Sequence, residues 1–401
     1  MTISYRRVLD PMLVIGALFG VQFISWFLFF PEQPSVIDGE PRYDGVLSVA
    51  IFLLMAFFLF SGMAFGKLLG KGSFLKVSLD KRACLHFAWV IFFFALGANL
   101  IRFFSVLGSF QDLLSIFEPH GINRLHARLS DSVLGLASIS ILWLLPAIIA
   151  SLLFFRKADK GNAWLLLLIC LLVLFYSIFN MARTAFFVLV SVLFAAYAYE
   201  RRSRFSLVGL FFICVILFGF YWINALLRTG VVFAEINGLE LYSFEVQYRV
   251  FQEYIEKYIA GELNNTFIIM TYAPDPLVNY AYGTLFHAYT DAYAPPHYLN
   301  TLNVLGFWYW QFGVLGGAGV SFMVGALLGF FFKRAMSSID SCNIPASAVI
   351  YLMLYSGFIS ITRINYYFLS YFFLSAVLFF VLLVFLFLQL QAKIAFPARA
   401  L

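Results

Sequence analysis

Residues 46–71 read VLSVAIFLLMAFFLFSGMAFGKLLGK, and this stretch decides the fold class. No charge occurs between Val46 and Gly66. At about 1.5 Å per helical residue, that run is long enough to cross a hydrocarbon core roughly 30 Å thick. Comparable runs start near Val8, Ala83, Ser132, Ala163, Thr184, Phe205, Phe312, Ile344 and Tyr366, so ten spans are expected. Residues 302–310 read as a re-entrant lead-in to the eighth. Composition points the same way: of 401 residues, 63% are hydrophobic and 11% charged, with a mean hydropathy of +0.92. A soluble domain carries about 25% charged residues, so a soluble globular class is excluded. The first run exceeds a signal-peptide core and meets no small-residue cleavage site before Pro31, so it reads as a retained span. Cys84, Cys170, Cys214 and Cys342 show no CxxC spacing and suggest neither a disulfide framework nor a zinc site.

Lys and Arg in the short loops set the orientation. Arg6 and Arg7, then Lys67, Lys71, Lys76, Lys81 and Arg82, then Arg156, Lys157 and Lys160 fall in alternate loops. Arg201, Arg202 and Arg204 follow, then Lys333 and Arg334, then Lys393 and Arg399. These hold most of the 26 basic residues, so both termini are expected in the cytoplasm. The other face carries residues 31–45, the polar stretch EPHGINRLHARLSD (118–131) and a long segment. On this reading residues 1–225 form an N-terminal bundle of seven spans, 226–301 a large external loop, and 302–401 a bundle of three. Within the loop, Val246, Tyr248, Val250, Phe251, Tyr254, Ile255, Tyr258 and Ile259 recur at helical spacing. They predict an amphipathic helix across the external mouth. Gly313, Gly316, Gly317 and Gly319 let the eighth span start or bend and let neighbouring backbones approach.

Outside the basic loops remain Arg42, Arg102, Arg124, Arg128, Arg183, Arg228, Arg249, Arg363 and Lys257. All but one are arginines. A guanidinium is a fixed fork that holds phosphate bidentately and never loses its charge. A cluster at one membrane face suits a lipid-linked diphosphate. Each arginine taken singly also has a bland reading, snorkelling to the interface or pairing with an acid.

Candidate general bases are the external acids, among them Glu253, Asp275 and Asp291, and His287. The glutamates of the amphipathic stretch read equally as a solvated face. Asp275 and Asp291 sit beside prolines and aromatics in less regular chain. The five histidines are scattered and no HExxH or DxD occurs, so no metal is expected. GxGxxG, GxxxxGK[ST] and GxSxG are also absent. No cofactor or nucleic acid is expected, and an external reaction without nucleotide needs a donor that arrives activated.

Three stretches carry a resemblance: NMARTAF around Arg183, YIEKYIAGELNN at 254–265, and N-x-x-G-x-x-Y-x-x-F-G-x-x-G from Asn303 to Gly316. With the many-span layout and a late external loop, they resemble the bacterial Wzy-type O-antigen and capsule polymerases from about Val46 onward. The resemblance implies an all-α polytopic membrane glycosyltransferase of the GT-C-like type in the bacterial inner membrane. Its donor and acceptor would be undecaprenyl-diphosphate-linked glycans, joined on the periplasmic side and with a chain-length-regulating co-polymerase as partner. On that reading Arg183, Arg228 and Arg249 hold the donor diphosphate. Arg102, Arg124 and Arg363 help with the acceptor lipid or complete the pocket, and Arg128 is counted with the diphosphate-binding residues. Family members often carry an acid just before the Phe-Gly pair; here it is Gln311, so that position supplies no base. Two other classes fit the layout: an O-antigen ligase, and a lipid-linked-oligosaccharide flippase.

Overall fold

The computed structural model describes residues 2–29, 45–71, 78–79, 81–106, 160–179, 183–201, 204–226, 230–255, 259–272, 303–337 and 344–358. In chain order the elements are β1 (Thr2–Ser4), α1 (Tyr5–Val8), α2 (Pro11–Phe29), α3 (Val46–Leu69), β2 (Ser78–Leu79) and α4 (Lys81–Val106). There follow α5 (Lys160–Phe179), α6 (Arg183–Arg201), β3 (Arg204–Ser206), α7 (Leu207–Ala225), α8 (Val231–Asn237) and α9 (Phe244–Ile255). The last are α10 (Gly261–Tyr272), α11 (Val304–Ser337), β4 (Ile344–Pro345) and α12 (Ala346–Phe358). Helix dominates because the apolar runs leave the backbone only its own groups to bond to. Among the described residues, three helices are long and apolar enough to cross a bilayer: Pro11–Leu28, Val46–Leu69 and Val304–Ser337. The runs expected from Ser132 and Tyr366 lie outside the described residues.

The axis of the fold is α3 packed along α11 in parallel. A Cβ at Gly62 would fall on the Phe322 carbonyl oxygen, one at Gly66 on that of Ala326, and one at Gly325 on that of Leu59. Gly329 meets the Met63 carbonyl in the same way. Glycines four apart thus present backbone to backbone, the small-residue mode of helix association in lipid. The close approach is therefore made by Gly325 and Gly329 on α11, with Gly62 and Gly66 opposite. Gly317 also packs tightly, against the Met55 side chain and the Trp308 carbonyl, whereas a Cβ on Gly319 would have no described atom within 4 Å.

One end of the bundle brings together several of the described basic residues. Asp10 opens α2, its carboxylate accepting from the Met12 N–H at 2.9 Å with Pro11 at the first helical position. The same carboxylate takes Lys67 Nζ from the end of α3 at 2.7 Å on both oxygens, and Lys67 lies over the Phe332 ring of α11. Tyr199 near the end of α6 donates to the Ala335 carbonyl, and Tyr351 of α12 donates to the Leu9 carbonyl. β1 pairs antiparallel with β3, Ile3 opposite Phe205, and β2 pairs with β4, Leu79 opposite Ile344. The described residues 2–10, 67–71, 78–79, 199–201, 204–207, 333–337 and 344–346 therefore share one end. Arg334 is an exception to the expected solvated loop: it is buried, with its guanidinium over Phe330. For Asp10→Asn and Lys67→Met a double-mutant cycle is expected to give a coupling of about 1 kcal/mol, at the upper end for exposed pairs because both side chains are four-fifths buried. Chemical denaturation of the four proteins in detergent checks this.

Candidate functional site

At the opposite end, short helices replace long ones. α10 has 12 residues and spans about 18 Å, too short to cross a bilayer. It is nonetheless interior: Leu263, Asn264, Thr266 and Phe267 are fully buried, and the helix packs against α2, α3 and α11. The stretch from Glu245 to Phe267 therefore falls on two helices with different fates. α9 is the amphipathic one, with Val246, Val250 and Ile255 buried, although Tyr248 faces outward. The ELNNTF stretch belongs to the buried α10. Its polar side chains Asn264 and Thr266 meet Trp26 of α2 and Asn303 at the head of α11.

Asn303 organises this end. Its side-chain oxygen accepts from the Leu305 N–H at 2.9 Å and so caps α11. Its Nδ2 donates to Gln22 Oε1 on α2 at 2.8 Å, and its backbone N–H donates to Thr266 Oγ1 on α10 at 3.0 Å. Trp26 Nε1 on α2 donates to Asn264 Oδ1 at 3.2 Å. Gln22, Asn264, Asn265, Thr266 and Asn303 are all buried. Phe19, Phe23, Trp26, Phe52 and Phe267 pack edge-on or tilted around them, with centroids 5.1–6.1 Å apart. In such surroundings an amide that lost its partner would cost about 1–3 kcal/mol, so the network ties three helices together.

α11 is broken just beyond the cap. Gly313 has φ 68° and ψ −173°, a region open essentially to glycine. The Trp308 carbonyl lies 3.2 Å from where a Cβ on Gly317 would stand. In a straight helix residues nine apart are separated by about 13.5 Å, so residues 304–312 fold sharply back on the long arm. The expected bend thus falls at Gly313. Gly313→Ala is expected to destabilise the protein by about 1–3 kcal/mol, while Gly319→Ala leaves its melting temperature unchanged. The lead-in is deeply buried, Trp308 and Trp310 included, and Gln311 carries a buried Nε2 without a hydrogen-bond partner among the described residues.

Helix direction places three of the candidate arginines at this end. α4 begins at the basic end, so Arg102, four residues before its close, lies toward the other. α6 ends beside Ala335, so Arg183, its first residue, starts at the far side. Arg249 lies on α9, which is tied to the end of α7 by Trp222 Nε1 donating to Gln247 Oε1 at 2.9 Å. The Arg249 guanidinium is half-buried over the Phe233 ring, 5.9 Å from its centroid. Glu253 also lies on α9. Arg124, Arg128, Arg228, Arg363, Asp275, His287 and Asp291 lie outside the described residues. Among the described residues no three His, Cys, Asp or Glu side chains gather as metal ligands.

The amide network was not anticipated as a unit. Its members stand inside two quoted motifs, Asn264 and Asn265 in YIEKYIAGELNN and Asn303 at the head of N-x-x-G, but pattern alone gave them no role. Gln22 in an otherwise apolar run was the available signal.

Fold and site together define a helical protein of membrane type, with two long parallel apolar helices at its axis and the short buried α10 at one end. Comparison with protein-family models, with curated proteins and with solved structures returns no match.

Proposed function

We propose that this chain polymerises undecaprenyl-diphosphate-linked oligosaccharide repeat units by glycosyl transfer on the periplasmic face of the bacterial inner membrane. The observation that carries the reading is the separation of charges. Lysines and arginines mix at one end, whereas Arg102, Arg183 and Arg249 stand toward the other, where fixed forks suit phosphate. On this reading the chain has ten spans in a GT-C-like arrangement and both termini are cytoplasmic. An acceptor sugar hydroxyl attacks the donor's anomeric carbon, the bond from that carbon to the phosphate oxygen breaks, and undecaprenyl diphosphate leaves. Arg183, Arg228 and Arg249 neutralise charge growing on the leaving group. The hydroxyl proton passes to a base among Asp275, Asp291, His287 and Glu253.

The test is turnover of a purified lipid-linked repeat unit by the protein in phospholipid vesicles, with product length read on a gel. Polymer is expected, and Arg249→Ala is expected to lower its rate by about 10²-fold, as loss of a charge-stabilising donor does. Arg249→Lys recovers only part of that loss. Unchanged rates in both variants would remove Arg249 from the site.

One observation favours a second reading. A broken helix beside buried polar side chains is also how transporters build substrate sites, so a flippase for the same lipid-linked glycan is the alternative.

A further inference from the structure

We infer that α8 and α9 form an interfacial foot that rests in the outer leaflet, with Ile236, Tyr242, Phe244 and Tyr248 lodged at the boundary between headgroups and acyl chains. The inference rests on the membrane class of the fold and not on glycosyl transfer. Both helices are too short to cross: α8 has seven residues and α9 twelve. Their inner side is already committed, since Ala234, Val246 and Val250 close a small core with Ala225 and Leu226 at the end of α7. Their outer side is apolar and uncovered: Ile236 is 77% exposed, Tyr242 79%, Phe244 84% and Tyr248 57%. Phe244 and Tyr248, one turn apart, stack at 6.1 Å with their planes 17° apart and so present one broad face.

Two features identify lipid as the occupant. First, the patch continues an exposed apolar row on α7, Phe211, Phe212, Val215, Ile216, Phe218 and Ile223, whose outward side chains need acyl chains around them. Second, the orientation of the foot is fixed. Trp222 packs on Phe218 and Phe251 while its indole N–H holds Gln247, and Gly238, at φ 63°, closes α8 with the Leu239 N–H on the Ala234 carbonyl. Tyrosine is enriched where a bilayer meets water, its ring in the apolar zone and its hydroxyl wet. The neighbouring Glu235, Glu240 and Glu245 are exposed, and in this seating they face the water side. Seated in this way, the foot holds Arg249 at the depth of lipid phosphates.

The experiment uses the full chain with Cys84, Cys170, Cys214 and Cys342 replaced by serine, in phosphatidylcholine vesicles. An environment-sensitive fluorophore is placed by Phe244→Cys, Tyr248→Cys or Glu245→Cys in turn. Lipids spin-labelled high on the acyl chain are expected to quench the first two roughly threefold, as insertion of about 5–10 Å requires. Aqueous iodide is expected to quench mainly the third. If the cysteine-free chain does not reconstitute, a fluorescent amino acid encoded at the same positions in the natural chain reads the same contrast. Iodide quenching at all three positions without lipid quenching would overturn the inference and leave a water-facing aromatic platform. Protection from both quenchers would overturn it too, because another protein surface would then cover the patch.

Discussion

Gly66→Ala and Gly329→Ala are each expected to prevent α3 and α11 from packing at all. The new methyl group would land on a main-chain carbonyl, Ala326 for the first and Met63 for the second. A flexible side chain can turn away from an intruding methyl; a helix carbonyl cannot, since it is already bonded along its own helix. Overpacking an ordinary core costs about 1–3 kcal/mol. Here the helices must separate along their whole contact, forfeiting dispersion that no hydrophobic effect replaces in lipid. The loss is therefore expected to exceed that range, and the variants to be recovered as aggregate or not at all. Gly319→Ala on the same helix and Gly97→Ala on α4, each with no described atom within 4 Å of the new methyl group, are the matched controls. Both should elute as the unmutated protein does and melt at the same temperature or slightly above, because alanine is the better helix former. Size-exclusion chromatography in detergent with a thermal melt of each eluted species separates these outcomes. Normal elution and an unchanged melt for Gly66→Ala would mean that the two axes do not approach as described.

Asn303→Leu carries the second large effect, through three losses at once. The cap of α11 disappears, at about 1 kcal/mol. Gln22 Oε1 loses its donor in buried surroundings, at about 1–3 kcal/mol. The bulkier methyl groups of leucine must also fit where a planar amide was fully enclosed. About 3 kcal/mol in total is expected. Gln22→Leu combined with Asn303→Leu is expected to recover a substantial part, since replacing both partners of a buried hydrogen bond removes the unsatisfied group. Thr266→Val tests the third strand of the network, leaving the Asn303 N–H without its acceptor. Steady-state unfolding by denaturant in mixed micelles, for the two single variants and the pair, measures the rescue. Strict additivity would show that Gln22 and Asn303 do not share a bond.

The long apolar elements were legible because a bilayer imposes a one-dimensional rule on the sequence. The run expected from Val46 coincides with α3, one of the three described helices long and apolar enough to cross. Those expected from Thr184, Phe205 and Ile344 begin within two residues of α6, α7 and α12, which are not among the three. The bend at Gly313 was legible for a similar reason, since a Phe-Gly pair among three further glycines within six residues marks a backbone freed from helix. What escaped the sequence was pairing. Gly62 and Gly66 lie far along the chain from Gly325 and Gly329, and nothing local says that these stripes face one another. The amide network hid for the opposite reason. Asn264 and Thr266 look like a solvated face when only their own helix is considered, and their burial depends on Gln22 and Asn303, contributed by two other helices. The basic count also gave no sign that Arg334, expected in a solvated loop, would be buried over Phe330. The candidate arginines at the other end were chosen by residue type, and of these Arg102, Arg183 and Arg249 fall on described helices.

The most direct measurement is the surface-glycan ladder of a strain from which this chain has been deleted, resolved on a gel and stained for polysaccharide. The account predicts lipid A core bearing a single repeat unit, since transfer to the core survives while polymerisation stops. A plasmid copy should restore the ladder and an Arg249→Ala copy should not. Bare core with long undecaprenyl-linked polymer accumulating behind it would contradict the account and assign transfer to the core instead. Repeat units trapped on the cytoplasmic leaflet would contradict it in the other direction and make the protein a flippase.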